Sequence, residues 1–361
     1  MSEQIPVKHI NPTSGPIHTR NYTGWFRTLR LYGTGALFVL FFATVWLNWE
    51  GHQAVLWDLA DRKFYIFGAT FWPQDLTLLS AILIIAAFGL FFATVIAGRI
   101  WCGYACPQSM WTWLFMWAEK VTEGDRNRRI KLDAAPWGAN KLIRRSAKHL
   151  LWVGISLATG LTFIGYFTPI RPLVIEFFTG QASAGATFWV LSFAVITYLM
   201  AGWLRENVCI HMCPYSRFQS VMLDENSLVV SYDVERGEPR GARRKDEATD
   251  LGSCIDCTLC VQVCPTGIDI REGLQLGCIG CGACVDACDS IMDKMGYARG
   301  LVRYTSENEL LKRPNKIWRP RSVGYAAVLI AMIGGFVWML NDRPLLALDI
   351  TRDRGLYREN S

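Results

Sequence analysis

The chain has 361 residues, of which 51% are hydrophobic, 13% are aromatic and 19% are charged. This composition is too apolar for an ordinary soluble protein and too charged for a chain that lies wholly in lipid, so it indicates membrane spans joined to a water-exposed part. The formal charge of +6 does not indicate nucleic-acid binding, because the basic residues cluster beside the ends of apolar runs and form no long basic stripe.

The N-terminal segment, residues 1–30, has no apolar stretch, and we therefore predict no cleavable signal peptide there. After it, five windows are long and apolar enough to cross a bilayer. They are residues 31–49, 76–98, 150–170, 187–204 and 322–340. Residues 108–120 are too short to span and are rich in tryptophan, which predicts an interfacial helix at the membrane surface.

Basic residues at the ends of the spans predict the orientation of the chain. The connection 119–149 is rich in Lys and Arg, including Arg128, Arg129 and Arg145, whereas the connection between the first two spans is poor in them. Because such residues accumulate on the cytosolic side, we predict a cytosolic N-terminus and a periplasmic C-terminus. Residues 205–321 are then cytosolic, in a bacterial inner membrane, and the basic run 312–321 agrees.

The chain contains 12 cysteines in four short groups, a usage typical of metal binding in a reducing compartment. Two of the groups are similar motifs that follow the second and fourth spans. Each reads C-x3-C-P, with Cys102 and Cys106 in the first and Cys209 and Cys213 in the second. The two hairpins therefore look like a parallel repeat that brings the motifs together at one interface.

The spacing within each C-x3-C motif predicts two thiols on one face of a helix, which favours sharing a metal. Soft thiolates with Met110, His211 and Met212 nearby favour Cu(I) over harder ions. A third iron–sulfur cluster, a structural zinc ion and simple packing of small side chains remain alternatives for these four cysteines.

The other two groups carry the most specific pattern in the chain. The first reads C-x2-C-x2-C-x3-C-P, and the second repeats this spacing with Asp289 in place of the proline. This pattern is typical of bacterial ferredoxins with two [4Fe–4S] clusters, in which the fourth cysteine of each group serves the other cluster. One cluster is predicted on Cys254, Cys257, Cys260 and Cys288, and the other on Cys264, Cys278, Cys281 and Cys284. Structural zinc sites use other spacings.

The predicted fold is therefore a membrane α-helical protein of five transmembrane helices, with a cytosolic α+β ferredoxin domain inserted before the last helix. We divide the chain into an N-terminal segment (1–30), a first hairpin with the interfacial helix (31–118), a basic loop (119–149), a second hairpin (150–218), the ferredoxin domain (219–321), the last helix (322–340) and a periplasmic segment (341–361).

With these features, the chain resembles the cytochrome c oxidase accessory proteins of the CcoG/FixG/RdxA family. The resemblance extends to the WPQD segment at 72–75, the WCGYACPQ run at 101–108 and the RGEPRG run at 236–241. It implies reduction of Cu(II) to Cu(I) for a C-type haem–copper oxidase, with copper bound by Cys102, Cys106, Cys209 and Cys213. It also implies a periplasmic immunoglobulin-like domain after the last span, of which residues 341–361 would be only a stub.

The leading hypothesis is thus a cupric reductase in which an electron passes from the ferredoxin domain to copper at the membrane edge. Its expected partners are membrane lipid, a copper transporter or copper chaperones, and oxidase assembly factors. No flavin or nicotinamide fingerprint is present, so the unknown electron donor is another protein or a quinol. The rival hypotheses are a quinol-linked electron relay and a non-catalytic assembly scaffold.

Overall fold

The computed structural model describes residues 17–59, 61–244 and 250–342, and these are mostly helical. The helices are α1 (Trp25–Thr44), α2 (Leu76–Ala97), α3 (Ile100–Tyr104), α4 (Pro107–Glu123), α5 (Arg126–Ala134), α6 (Ala139–Gly165), α7 (Ile170–Thr179), α8 (Ala184–Thr197), α9 (Pro214–Met222), α10 (Val234–Gly237), α11 (Leu259–Gln262), α12 (Ala283–Met295), α13 (Glu307–Leu310) and α14 (Pro320–Asn341). Two π-helical segments are Tyr198–Leu204 and Val208–Met212, and two 3-10 turns are Pro73–Asp75 and Ile270–Glu272. The strands are β1 (Asn48–Trp49), β2 (His52–Gln53), β3 (Val55–Asp58), β4 (Lys63–Ile66), β5 (Ala69–Phe71), β6 (Val229–Tyr232) and β7 (Val302–Thr305).

Five helical stretches in the described part of the chain are long and apolar enough to cross a membrane, which confirms the predicted number of spans. They are α1, α2, α6, α14 and the stretch Ala184–Leu204, in which α8 continues into a π-helical segment. The spans expose most of their apolar side chains, as expected of surfaces that face lipid.

Four spans begin earlier than predicted, and two of them differ by more than three residues. α1 begins at Trp25 instead of residue 31, and α6 begins at Ala139 instead of residue 150. The predicted basic loop, 119–149, is consequently mostly helical. Hydropathy windows end at cations such as Lys148, but the fold pairs the Lys148 ammonium with the Glu123 carboxylate at 3.2 Å, so the helix continues through the charged residues.

The membrane helices pack through close contacts at small residues. α6 runs against α8, and α2 runs against α14. At Gly160 of α6, an added Cβ would lie 2.4 Å from the backbone oxygen of Val190 on α8, so this approach requires glycine. Val190 is fully buried, and Leu161 and Ile164 are buried in the same cluster.

The helix predicted to be interfacial, α4, packs more deeply than a helix on a membrane surface. Phe115 and Ala118 are fully buried on it, against Trp152 of α6 and Ala201 of the π-helical segment. The Trp152 indole N–H donates a hydrogen bond to the carbonyl of Phe115 at 3.2 Å. Only part of the helix surface, including Trp117, is exposed. The tryptophan-rich pattern indicates an amphipathic helix, but it does not show whether lipid or another part of the protein covers the apolar face of that helix.

Short strands follow the C-terminal end of α1. They form two small antiparallel sheets, β1–β2 and β3–β4–β5, before α2 begins. In the larger sheet, Val55 pairs with Ile66 and Asp58 pairs with Lys63.

The cysteine-rich region folds between α9 and α14 as a small α+β unit, as predicted. β6 and β7 pair antiparallel, with Val229 opposite Thr305 and Tyr232 opposite Val302. α12 packs against β7 and α11, and its buried side chains, including Met292, contribute to the core of the unit.

This unit is attached to the N-terminal end of α1. The Asp286 carboxylate on α12 accepts hydrogen bonds from the backbone N–H of Phe26 at 3.2 Å and of Arg27 at 2.8 Å. These N–H groups belong to the first turn of α1, where a helix has no acceptors of its own. A carboxylate at this position also interacts favourably with the helix dipole. Asp286 therefore caps the first membrane helix from a distant part of the sequence.

Candidate functional site

One cavity of the α+β unit is lined by the four cysteines predicted for the first cluster, namely Cys254, Cys257, Cys260 and Cys288. Apolar side chains such as Ile291 complete its wall. Cys254 is buried, whereas Cys257 is exposed. The cavity therefore has one side that faces solvent at Cys257.

A second cavity is lined by the four cysteines predicted for the second cluster, Cys264, Cys278, Cys281 and Cys284. Cys260 lines both cavities, so the two sites share a wall. In both cavities the last cysteine of one sequence group lies with the first three of the other, and this exchange is the arrangement that the spacing predicts.

Glycines shape the backbone around the second cavity. Gly280 and Gly282 line it and have φ angles of +62° and +72°, which glycine adopts at little cost. Gly282 is also the N-cap of α12. The chain can therefore turn tightly around the cavity and then enter the helix that carries Cys284 and Cys288.

The donor set fits four-iron clusters better than single metal ions. Within residues 17–59, 61–244 and 250–342, no three His, Cys, Asp or Glu side chains are close enough to hold one metal ion. Four cysteines spread around a cavity are instead the arrangement that a cluster of several atoms requires. Burial raises the pKa of Cys260 and of Cys288 to about 12, so these thiols bind iron as thiolates only with release of protons.

The two C-x3-C-P motifs adopt similar local structures, which differ from the continuous helix that we predicted. Cys102 lies on α3, and Cys106 is the N-cap of α4 with Pro107 at the first helical position. Cys209 lies in a π-helical segment, and Cys213 is the N-cap of α9, again followed by proline. Because proline favours the first position of a new helix, each motif breaks the helix between its two cysteines.

The four membrane-edge cysteines, Cys102, Cys106, Cys209 and Cys213, lie near one another. Burial, followed by the charge of Cys106, raises the pKa of Cys102 to about 12, and Cys209 and Cys213 contribute to the same shift. Burial and the charge of Cys106 likewise raise the pKa of Cys209 to about 12. Their binding of one shared metal remains a prediction, since the described side chains form no group of three suited to a single ion.

The side chains that we predicted as additional soft ligands, Met110, His211 and Met212, differ in their exposure. Met212 is 54% exposed, and Met110 is buried on α4. His211 joins no group of three His, Cys, Asp or Glu side chains suited to a metal ion in the part of the chain that the structure describes, and the role of the two methionines stays a prediction.

The backbone that lines the second cluster cavity contacts α3, the helix that carries Cys102. An added Cβ at Gly103, between Cys102 and Cys106, would lie 2.8 Å from the backbone oxygen of Gly280, so the two backbones touch at this glycine. The Tyr104 hydroxyl donates a hydrogen bond to the carbonyl of Cys281 at 3.3 Å.

Arg99 lies between the same two sets of cysteines. Its side chain is 5% exposed, and Nη1 donates to the carbonyls of Leu276 and Cys278, the latter at 2.6 Å. Nε and Nη2 are buried and have no hydrogen-bond partner among the described residues. The positive charge of Arg99 lowers the pKa of Cys278 and of Cys102, opposing the larger effect of burial.

A family model described as a 4Fe-4S dicluster domain matches residues 204–307. The nitrogen fixation protein FixG of Rhizobium meliloti is 46% identical over 275 residues, which are 74% of this chain and 52% of FixG. RdxB of Cereibacter sphaeroides is 42% identical over 316 residues, 84% of this chain and 66% of RdxB. RdxA of the same organism is 42% identical over 350 residues, 93% of this chain and 74% of RdxA. The chain belongs to the CcoG/FixG/RdxA family.

Membership of the CcoG/FixG/RdxA family confirms the resemblance predicted from the motifs. The chain spans about half the length of FixG and about two thirds of RdxB. No solved structure matches it. With its five apolar helices and its 4Fe-4S dicluster domain, this family member is a multi-pass membrane iron–sulfur protein.

Several residues of the site in this family member escaped sequence reasoning. Arg99 precedes the WCGYACPQ run, and Gly103 lies within it. In that run, we assigned a role only to the two cysteines. Gln219 is fully buried, accepts a hydrogen bond from the Cys102 thiol at 3.5 Å and donates to the carbonyl of Gly98 at 3.0 Å. The positions of Gly103 and Arg99 next to a cysteine pair could have indicated that they belong to the site. Nothing in the sequence indicated the role of Gln219.

Proposed function

We propose that this protein is a membrane metalloreductase that converts Cu(II) to Cu(I) for the assembly of a C-type haem–copper oxidase. The proposal is supported chiefly by the contact of Gly103 with the backbone at Gly280 and Cys281, which joins the second cluster cavity to the membrane-edge cysteines. Electron tunnelling weakens steeply with distance, so backbone contact between donor and acceptor sites favours transfer.

The proposed reaction consumes one electron for each Cu(II) and yields one Cu(I). The electron comes from an external donor, either a reduced electron-transfer protein or a quinol. The two [4Fe–4S] clusters, when bound, store and pass single electrons. The proposed catalytic and copper-binding residues are Cys102, Cys106, Cys209 and Cys213, because thiolates are soft ligands that favour Cu(I).

The side chains around these cysteines support binding of a soft cation. Cys102 and Cys209 are partly buried, and Gln219 orients the Cys102 thiol through its side-chain oxygen. Cys106 and Cys213 are helix N-caps, so their thiols lie at the N-terminal ends of α4 and α9. Metal binding at this set would displace protons from the two buried thiols.

The proposed location of the reaction is the cytosolic face of a bacterial inner membrane, with the N-terminus and the ferredoxin domain cytosolic and the C-terminus periplasmic. The basic connection that now forms α5 and the start of α6 supports this orientation. Copper chaperones or a copper transporter and oxidase assembly factors are the proposed partners.

A third iron–sulfur cluster on the four membrane-edge cysteines is the second candidate. These four residues resemble the eight ferredoxin cysteines in one respect, since neither set contains a group tight enough for a single ion. A protein with three clusters would relay electrons without binding copper.

The test uses two double variants, Cys102→Ser with Cys106→Ser, and Cys209→Ser with Cys213→Ser. Iron, bound copper and Cu(I) formation are measured on the same anaerobic preparations, the last with a Cu(I)-specific chelator. We expect each double variant to lose copper binding and Cu(II) reduction while it retains about eight irons per chain. Combining the two double variants in one chain should cause little further loss of copper binding or reduction, because both cysteine pairs belong to one site.

Cys257→Ser provides the matched control. It makes the same chemical change at a ferredoxin cysteine, so it should lower iron and Cu(II) reduction but leave copper binding intact. A loss of about four irons in the membrane-edge variants would identify a third cluster instead. Full Cu(II) reduction in both double variants would show that these cysteines only pack.

A further inference from the structure

A third cavity, separate from both sets of cysteines, lies where α1, α4 and the ferredoxin unit meet. Five of its lining residues are cationic, namely Arg20, Arg27, Arg30, Lys120 and Arg129, and only Asp125 is acidic. Trp113 and Trp117 of α4 also line it. The cavity thus combines excess positive charge with the aromatic residues that favour a membrane interface.

Arg30 is the most informative of these cations. Its side chain is only 4% exposed, and its one described side-chain contact is a long hydrogen bond of 3.4 Å from Nη2 to the carbonyl of Ser109. A buried guanidinium normally has a carboxylate or several acceptors. Most of the five donors of Arg30 therefore remain for a ligand in the cavity.

The other buried cation of the cavity is already paired. Arg129 is 3% exposed, forms an ion pair with Glu119 at 2.7 Å and donates to the carbonyl of Thr19 at 2.7 Å. Its Nε is buried and has no hydrogen-bond partner in the described part of the chain. The Glu119 carboxylate is shared with Arg205, so it does not neutralise the rest of the cavity.

We propose that this cavity binds a phosphate group, and that its source is the headgroup of an anionic phospholipid. Basic pockets between membrane helices bind such headgroups, and arginine pairs with phosphate through two parallel hydrogen bonds. Beside Arg30 in the sequence, α1 exposes Leu29 and Tyr32, which offer an apolar path for acyl chains.

The position of the cavity gives the bound headgroup a structural role. Val263 and Pro265, on either side of the cluster cysteine Cys264, form part of its wall. The backbone N–H of Arg20 donates to the carbonyl of Gln262 at 2.8 Å on the same side. A phosphate held by Arg30 of α1 and Lys120 of α4 would therefore lie against Val263 and Pro265 and fill the gap between the membrane helices and the ferredoxin unit, independently of any copper chemistry.

The test measures lipid binding by the full chain in detergent, by native mass spectrometry and by thermal unfolding. Phosphatidylglycerol, phosphatidylcholine and inorganic phosphate are added separately. We expect phosphatidylglycerol to remain bound and to raise the unfolding temperature more than phosphatidylcholine does. If inorganic phosphate produces the same shift and competes with the lipid, the phosphate group is the recognised part and its source need not be lipid.

Variants locate the site. Arg30→Gln should weaken phosphatidylglycerol binding roughly fivefold, and Arg20→Gln with Lys120→Gln should weaken it roughly 25-fold, at about 1 kcal/mol for each cation removed. Both residues of the double variant are exposed, so it should fold even if Arg30→Gln does not. Arg128→Gln is the matched control, because Arg128 is exposed near the cavity but does not line it. Equal binding of both lipids, or equal losses in the control and the cavity variants, would overturn the proposal.

Discussion

At the scale of single residues, Arg99 is a buried cation whose charge acts on cysteines of both sets, Cys278 and Cys102. It is buried beside the second cluster cavity and holds the carbonyl of Cys278. A positive charge that is excluded from water stabilises the more negative, reduced form of a nearby cluster. The electron should consequently rest on the second cluster, next to the membrane-edge cysteines.

The corresponding prediction concerns reduction potentials. Arg99→Met keeps the volume but removes the charge, and we expect the midpoint potential of one cluster to fall by on the order of 60 mV, a tenfold change for a one-electron couple. Redox titration followed by EPR measures this shift. Arg99→Lys should restore most of the potential, and the surface variant Arg128→Met should leave both clusters unchanged. Equal potentials in Arg99→Met and the native protein, at equal iron, would exclude this role.

A second prediction at this scale tests the assignment of cysteines to clusters. Cys257→Ser and Cys281→Ser each remove one thiolate from a different cavity. We expect either change to lower iron by about four atoms per chain and to alter a different part of the reduced EPR spectrum. Membrane insertion should persist, because both residues lie outside the spans. Unchanged iron in both variants would contradict the assignment.

At the scale of elements, the sequence predicted which helices form more reliably than the residues at which they begin and end. Long apolar windows located all five spans, since hydropathy over about 20 residues is a local property. The starts of α1 and α6 were missed because they carry cations such as Lys148 whose partners are distant in sequence. The helix breaks at Cys106 and Cys213 could have been predicted from the following prolines, which favour a new helix.

The cap of α1 is the element whose loss should be easiest to measure. Asp286→Ala removes the acceptor for the N–H groups of Phe26 and Arg27. We expect a loss of about 1 kcal/mol in stability, as for other N-caps, and faster hydrogen exchange at these two amides. Asp293→Asn is the control, because Asp293 is on the same helix but forms an exposed ion pair with Arg299. Slow exchange at both amides in Asp286→Ala would mean that another group caps the helix.

At the scale of the whole molecule, the α+β unit and the short strands between α1 and α2 lie at opposite ends of α1. The unit contacts Phe26 and Arg27 at the N-terminal end of α1, which we call the first end, whereas β1 follows the C-terminal end. If the positive-inside rule sets the orientation, the first end is cytosolic. A reporter inserted at Gly241 should then read cytosolic, and one inserted between Asp61 and Arg62 should read periplasmic. The opposite result at both positions would invert the proposed topology.

The eight ferredoxin cysteines could be assigned from sequence because their spacing encodes the exchange of ligands between clusters. The meeting of the two C-x3-C-P motifs was predicted from their repetition alone. Contacts such as Gly103 with Gly280 could not be predicted, because they join segments far apart in the chain and leave no periodic pattern. The long separation of such contacts is also why Arg99 received no role before its burial was known.

The cap at Asp286 has a consequence for the order in which the protein is made. Phe26 and Asp286 are 260 positions apart, so α1 leaves the ribosome long before its cap is synthesised. Asp286 also lies between Cys284 and Cys288 in sequence, and these line different cluster cavities. Its position therefore depends on both cavities being properly formed. In a cell short of iron, new chains should insert their first helix, but the N–H groups of Phe26 and Arg27 would lack their acceptor. We expect such chains to be more sensitive to proteolysis.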